Sequence, residues 1–170
     1  MKSMHNVPSA ATERAAALER LWGLAIVLGD GMQAGLAERG LTLARAALLW
    51  QLQLGGPSAQ HALSRALRVT PRNVTGLVDA LEADGLVTRT AHPADRRSTL
   101  VTLTQKGAAM ARTMKRDQDE FAQALFEDVG SAELATFVKV IERVFMRILG
   151  RMPDFDMSAY SNQSPAVGKD

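Results

Sequence analysis

The chain has 170 residues and no cysteine. A cysteine pair, a thiolate metal ligand and a thiol-oxidation switch are therefore excluded. There are only three histidines, His5, His61 and His92, and none sits in an HExxH pattern. A GxGxxG turn after a strand and a phosphate-binding P-loop are also missing, and the carboxylates are scattered with no second signal to mark an acid/base pair. Catalytic residues, metals and cofactors are thus not expected. No stretch approaches the roughly 20 apolar residues that cross a bilayer, and the beginning, MKSMHNVPSAATER, lacks the apolar run of a signal peptide. The expectation is a cytoplasmic protein with no membrane partner. Net charge is +2, too small to name a partner by itself.

The distribution of charge says more than its sum. Residues 57 to 106 hold seven Lys or Arg against four Asp or Glu, and the rest of the chain holds 13 against 14. Within that basic stretch, Pro57 to Val78 contains three arginines (Arg65, Arg68, Arg72) and no acid, whereas Asp79, Glu82 and Asp84 collect further on. A surface that meets phosphates should segregate charge in this way.

Local signals in the same stretch predict a helix pair. Ser58 to Leu67 is short, follows Pro57, and sets Leu63 and Leu67 one turn apart; Arg68 and Val69 make the turn. Thr70 is placed to cap a second helix, Pro71 suits its first position, and Val74, Leu77, Val78 and Leu81 form one apolar stripe. Gly85 ends it. Away from the stripe lie Arg72, Asn73, Thr75 and Gly76. Arg can grip guanine O6 and N7, Asn can do the same to adenine N6 and N7, and Thr offers a hydroxyl and a methyl, so this helix start suits a major groove. For an arbitrary helix, the same residues would be a solvated face. Ser58, His61, Arg65, Arg68 and Thr70 are candidates for contacts to the DNA backbone.

After Gly85 the period becomes two. Leu86 to Thr90 and Thr99 to Thr104 are β-prone, and the eight residues between them, AHPADRRS, are too many for a tight turn. The loop should project Asp95, Arg96 and Arg97, a basic tip suited to the negative potential of a minor groove. Helix, turn, helix and hairpin in this order make a winged helix-turn-helix.

NVTGLVDALEADGLVTR, the DRR of the tip, and VTLTQKG from Val101 to Gly107 resemble the signature stretches of the MarR family of bacterial transcription regulators. The motifs cover about 50 residues, and the long flanking helices extend the likeness to most of the chain. The resemblance implies a two-fold dimer on double-stranded DNA, recognition helices in successive major grooves, wing arginines in flanking minor grooves, usually repression, and often release by a small aromatic effector. It also implies that Arg97 is the minor-groove residue and that Asp95 holds it. Many members carry a basic residue where Gly76 and Ala80 stand here. Arg68 occupies a turn position where small or Asn-like residues are common, so either the turn does not need φ > 0 or the arginine is mildly strained.

The expected class is therefore mainly α with a small β-hairpin wing, a winged helix-turn-helix between long dimerisation helices. Flexible tails are expected at 1–11 and 153–170, N-terminal helices at 12–56, the DNA-binding lobe at 57–104 and C-terminal helices at 105–152. One helix should run from Thr12 to Gly40, the next from Leu41 to Leu54, a fifth from Gln105 to Asp128, and a sixth, capped by Ser131, to about Met152. Between Leu134 and Leu149, eleven of sixteen residues are apolar. A helix with so narrow a polar stripe needs cover, and the first helix shares the excess, so an obligate homodimer is expected. Trp22 and Trp50 are candidates to line an effector pocket, or are core. Two functions remain open: a dimeric DNA-binding regulator, or a winged-helix docking module whose basic wing meets an acidic protein.

Overall fold

The computed structural model describes residues 10–91 and 99–151. Two compact units divide between Ala46 and Ala47. The first holds helix α1 (Ala10–Ala37) and the first turn of α2 (Leu43–Gly55). Helix α1 starts two residues before the expected Thr12, because Ala10 and Ala11 are strong helix formers. It stops at Ala37 rather than Gly40: Gly40 adopts φ +68, and the Leu41 N–H donates to the Leu36 carbonyl at 2.9 Å while the Gly40 N–H donates to that of Ala37. That pairing is a left-handed helix stop. The remaining residues of the expected tails lie outside the described residues.

The second unit continues α2 and adds β1 (Ser58–Ala59), α3 (Gln60–Leu67), α4 (Pro71–Ala83), β2 (Val87–Ala91), β3 (Thr99–Leu103), α5 (Gln105–Leu125) and α6 (Ser131–Leu149). Its antiparallel sheet has the order β1-β3-β2. Ser58 and Ala59 were expected to begin the helix; instead they pair with Val101 and Leu100, since extended backbone here finds partners on β3 that a helix start would forgo. Leu48, Leu49, Leu63, Val74, Val78, Leu81, Val87 and Val101 are fully buried and form the core. Leu67 and Leu77 are only half-buried.

Further boundaries differ: α2 starts at Leu43 rather than Leu41, and α6 ends at Leu149 rather than near Met152. Helix α5 ends at Leu125, three residues early. Helix α6 is capped by Gly130, not Ser131: the Leu134 N–H donates to the Gly130 carbonyl at 2.9 Å, and Ser131 is already helical. Glycine tolerates that position well. Phe126 and Phe137 stack at an angle, with centroids 6.0 Å apart, across the turn between α5 and α6.

Candidate nucleic-acid interface

Thr70 performs the expected cap: its hydroxyl accepts the Asn73 N–H at 3.2 Å, with Pro71 at the first helical position. Val74, Val78 and Leu81 turn α4 into the core, which rotates Arg72, Asn73, Thr75 and Gly76 outward, all exposed. The Arg72 and Asn73 side chains make no hydrogen bond or ion pair with the described residues. Thr75 differs, since its hydroxyl lies 3.1 Å from Gln60 Oε1 on α3 and 3.1 Å from the Pro71 carbonyl. No atom would lie within 4 Å of a Cβ added to Gly76, so the glycine answers no packing need within the described residues and leaves the exposed face of α4 low.

The backbone-contact candidates lie around the same helix pair. His61 and Arg65 are exposed on α3. Ser58 is half-buried, its hydroxyl donating to the Gly56 carbonyl at 3.1 Å. Arg68 resolves the open question about the turn: it adopts φ 56, ψ 39, and is the positive-φ residue other than glycine among the described residues. The Val69 N–H donates to Ser64 and the Arg68 N–H to Arg65, both at 3.2 Å, so the turn is a left-handed helix stop that glycine would satisfy at lower cost. The Ser64 hydroxyl, donating to the Val69 carbonyl at 2.7 Å, pins the far side.

Asp95, Arg96 and Arg97 of the wing, with His92, lie outside the described residues; the ribbon that carries them is described to Ala91 and from Thr99. Two anchors hold its base. Thr104 caps α5 by accepting the Gly107 N–H at 3.0 Å, and its hydroxyl reaches the Gly85 and Leu86 carbonyls at 2.7 and 3.2 Å. Lys106 Nζ donates to the Asp84 carbonyl at 2.7 Å. Gly85, at φ +68, ends α4 as expected, with Leu86 N–H donating to Leu81 at 2.8 Å.

The second anchor was missed from the sequence. Arg89 on β2 bridges Asp79 and Glu82 of α4, and its own backbone N–H donates to Glu82 Oε1 at 3.1 Å. The hydrogen bond that Arg89 donates to Asp79 raises its pKa above the ordinary value, against partial burial and together with Glu82. The acids beyond the reading turns thus have a structural partner. Only the i,i+3 spacing of Asp79 and Glu82, followed by a lone arginine on the next strand, could have suggested it.

Trp22 lies in the first unit and is 67% exposed, and Trp50 lies in the second and is half-buried. Trp22 is therefore not core within its unit. A hollow of about 310 Å³ in the first unit is lined by Ala25, Ile26, Gly29, Asp30, Met32, Gln33 and Leu43, with neither tryptophan.

A short helix, a strained tight turn, a second helix with a bare polar start and a three-stranded sheet locked to that helix's end define a winged helix-turn-helix of the DNA-reading kind. Residues 41–99, which hold the helix-turn-helix, match the model of the MarR family of transcriptional regulators. The uncharacterized HTH-type transcriptional regulator YdgJ of Bacillus subtilis is 28% identical over 133 residues, 78% of this chain and 79% of its own length. The HTH-type transcriptional repressor NicR of Pseudomonas putida is 38% identical over 74 residues, 44% of this chain and 47% of its own length. Among solved structures, Bordetella bronchiseptica BpsR, whose DNA binding is regulated by 6-hydroxynicotinic acid, superposes with a TM-score of 0.55 at 25% identity, covering 78% of this chain and 98% of that one. The matched family and these relatives are transcriptional regulators, not enzymes, and the acidic-protein docking module is not favoured.

Proposed function

We propose that this chain is a homodimeric repressor acting in the cytoplasm on a pseudo-palindromic operator. Arg72 and Asn73 read base edges in the major groove, the Thr75 methyl and the bare Gly76 backbone admit the helix closely, and Arg96 and Arg97, the latter oriented by Asp95, enter the flanking minor groove. Ser58, His61, Arg65, Arg68 and Thr70 meet phosphates. The observation that carries this reading is the start of α4, where an arginine and an asparagine stand exposed with no partner among the described residues, directly beside a buried stripe.

Dimerisation draws support from uncovered apolar surface. Helix α1 exposes Leu18, Trp22, Leu24, Ile26, Val27 and Met32, and α6 exposes Phe137, Ile141, Met146 and Ile148. Patches of this kind call for cover, and a second copy supplies it symmetrically. NicR is a repressor, and 6-hydroxynicotinic acid regulates DNA binding by BpsR; a small aromatic acid is the effector this reading assigns.

Selection of bound fragments from genomic DNA, followed by footprinting, tests the reading. Half-sites should be centred about 10 bp apart, and log K should fall steeply with log salt, by about 0.9 per phosphate neutralised. Affinity that barely changes with salt, or one chain protecting a single asymmetric half-site, would overturn it. For the interface, Val27→Glu should shift sedimentation toward the monomer.

A further inference from the structure

Strand β2 is an edge of the sheet, so alternate N–H groups along it point away from β3. One of them, from Arg89, is accepted by Glu82 on α4. Arg89 also stands opposite Val101, which is fully buried; opposed residues share a face, so the arginine side chain leaves the ribbon on its core side and reaches α4. There Nη1 binds the second oxygen of Glu82 and Nη2 binds Asp79, one turn earlier. The strand is therefore gripped through both backbone and side chain by two carboxylates on one helix. A surface ion pair of a single contact would hold little. Forked, three-point geometry fixes an angle.

That angle matters because α4 also carries the reading face. Asp79 lies one turn beyond Thr75 and Gly76 on the exposed side of α4, with its side chain 60% exposed, where an uncancelled acid would repel phosphates. A strand rises about 3.3 Å per residue, so tilting the ribbon by about 10° at Arg89 would already move the end of β2, two residues further along, by roughly 1 Å.

We propose that Arg89 is a positioning residue of the DNA reader: bridging Asp79 and Glu82, it cancels the acid on the recognition helix and holds the wing at one angle to that helix, so that helix and wing engage adjacent grooves as a unit. This rests on the DNA-reading function proposed above. The bland alternative is that the bridge only covers a strand edge. It predicts lower stability without any change in how the wing contributes to binding.

The test is a mutant cycle on the full-length protein, using the tightest fragment from the genomic selection and a scrambled duplex of equal length. Arg97→Ala is measured in the wild-type background and with Arg89→Met, Arg89→Lys and Glu82→Gln. In wild type, loss of Arg97 should weaken operator binding by roughly tenfold, and with Arg89→Met by less than about twofold, because a wing without its angle has little to lose. Arg89→Lys, which can hold one carboxylate, should fall between. Since the chain has no cysteine, spin labels at Gly76→Cys on α4, where an added Cβ meets nothing within 4 Å, and at Ala91→Cys report the same angle without DNA, and their distance distribution should broaden in Arg89→Met and in Glu82→Gln. Equal fold-losses from Arg97→Ala in all backgrounds, or an unbroadened distribution, would overturn the proposal while leaving the DNA-reading function intact. A wild-type protein with no salt-dependent affinity for any duplex would overturn both.

Discussion

Replacing Gly107 by alanine is the sharpest perturbation the structure offers. Gly107 is the third residue of α5, where helix propensity alone favours alanine by about 1 kcal/mol. Packing reverses the sign. A Cβ there would lie 1.9 Å from the Leu86 carbonyl oxygen, 2.9 Å from its carbon and 3.3 Å from Leu103 Cδ2. Ordinary carbon-to-oxygen contact is about 3.3 Å, so helix start and carbonyl must separate by more than roughly 1 Å. The obstacle is backbone and cannot rotate aside. That same carbonyl accepts the Thr104 N–H at 3.1 Å, so the displacement strains or breaks a bond worth about 0.5–1.5 kcal/mol, in addition to about 1–3 kcal/mol of overpacking. Less the propensity gain, the net loss is about 0.5–3.5 kcal/mol, or about 1–14 °C in Tm for a chain of this size. Gly76→Ala is the matched control: also helical, it has no atom within 4 Å of the added carbon and should gain up to about 1 kcal/mol. Thermal unfolding at fixed protein concentration separates the two. A Gly107→Ala protein as stable as wild type would refute the reasoning, as would a Gly76→Ala protein that lost stability.

Arg72→Ala should cost about 1–3 kcal/mol of operator binding and relax preference at one or two base pairs, with Asn73→Ala acting at a neighbouring position; equal weakening on all sequences, measured by competition against single-base operator variants, would mean that both grip backbone. Arg97→Ala should weaken binding to every duplex and reduce the magnitude of the salt slope by about two per dimer, whereas Asp95→Ala should cost less, because the arginine's charge remains; a salt titration of both mutants would detect the opposite order. Arg68→Gly relieves a left-handed residue and should stabilise the fold by about 0.5–1 kcal/mol while lowering affinity for all duplexes alike. A loss of stability in urea unfolding would show that the arginine's own contacts outweigh its strain.

The parts of the fold that were legible in advance are those whose causes lie within one or two helical turns. Thr70, Pro71 and Gly85 begin and end α4 through bonds to residues at most five positions away, and the spacing of Val74, Val78 and Leu81 determines which face turns inward whatever they pack against. The same rule placed Arg72 and Asn73 outside. Ser131 misled because a serine and a glycine side by side both make good caps, and local preference could not choose between them.

What the sequence determined by itself was thus the order of the helices and the hairpin, the buried stripe of α4 and which residues at its start face outward, all consequences of short-range periodicity and capping. Tertiary structure decided the rest. Ser58 and Ala59 became a strand because Leu100 and Val101, some 40 residues later, supply their hydrogen bonds. Thr75 gave its hydroxyl to Gln60, Arg89 found Asp79 and Glu82, and Gly107 was required by the Leu86 carbonyl. None of these follows from spacing, because a side chain's partner across the chain depends on where the backbone has already been carried, and that is set by burial of the whole core rather than by the residues that finally meet.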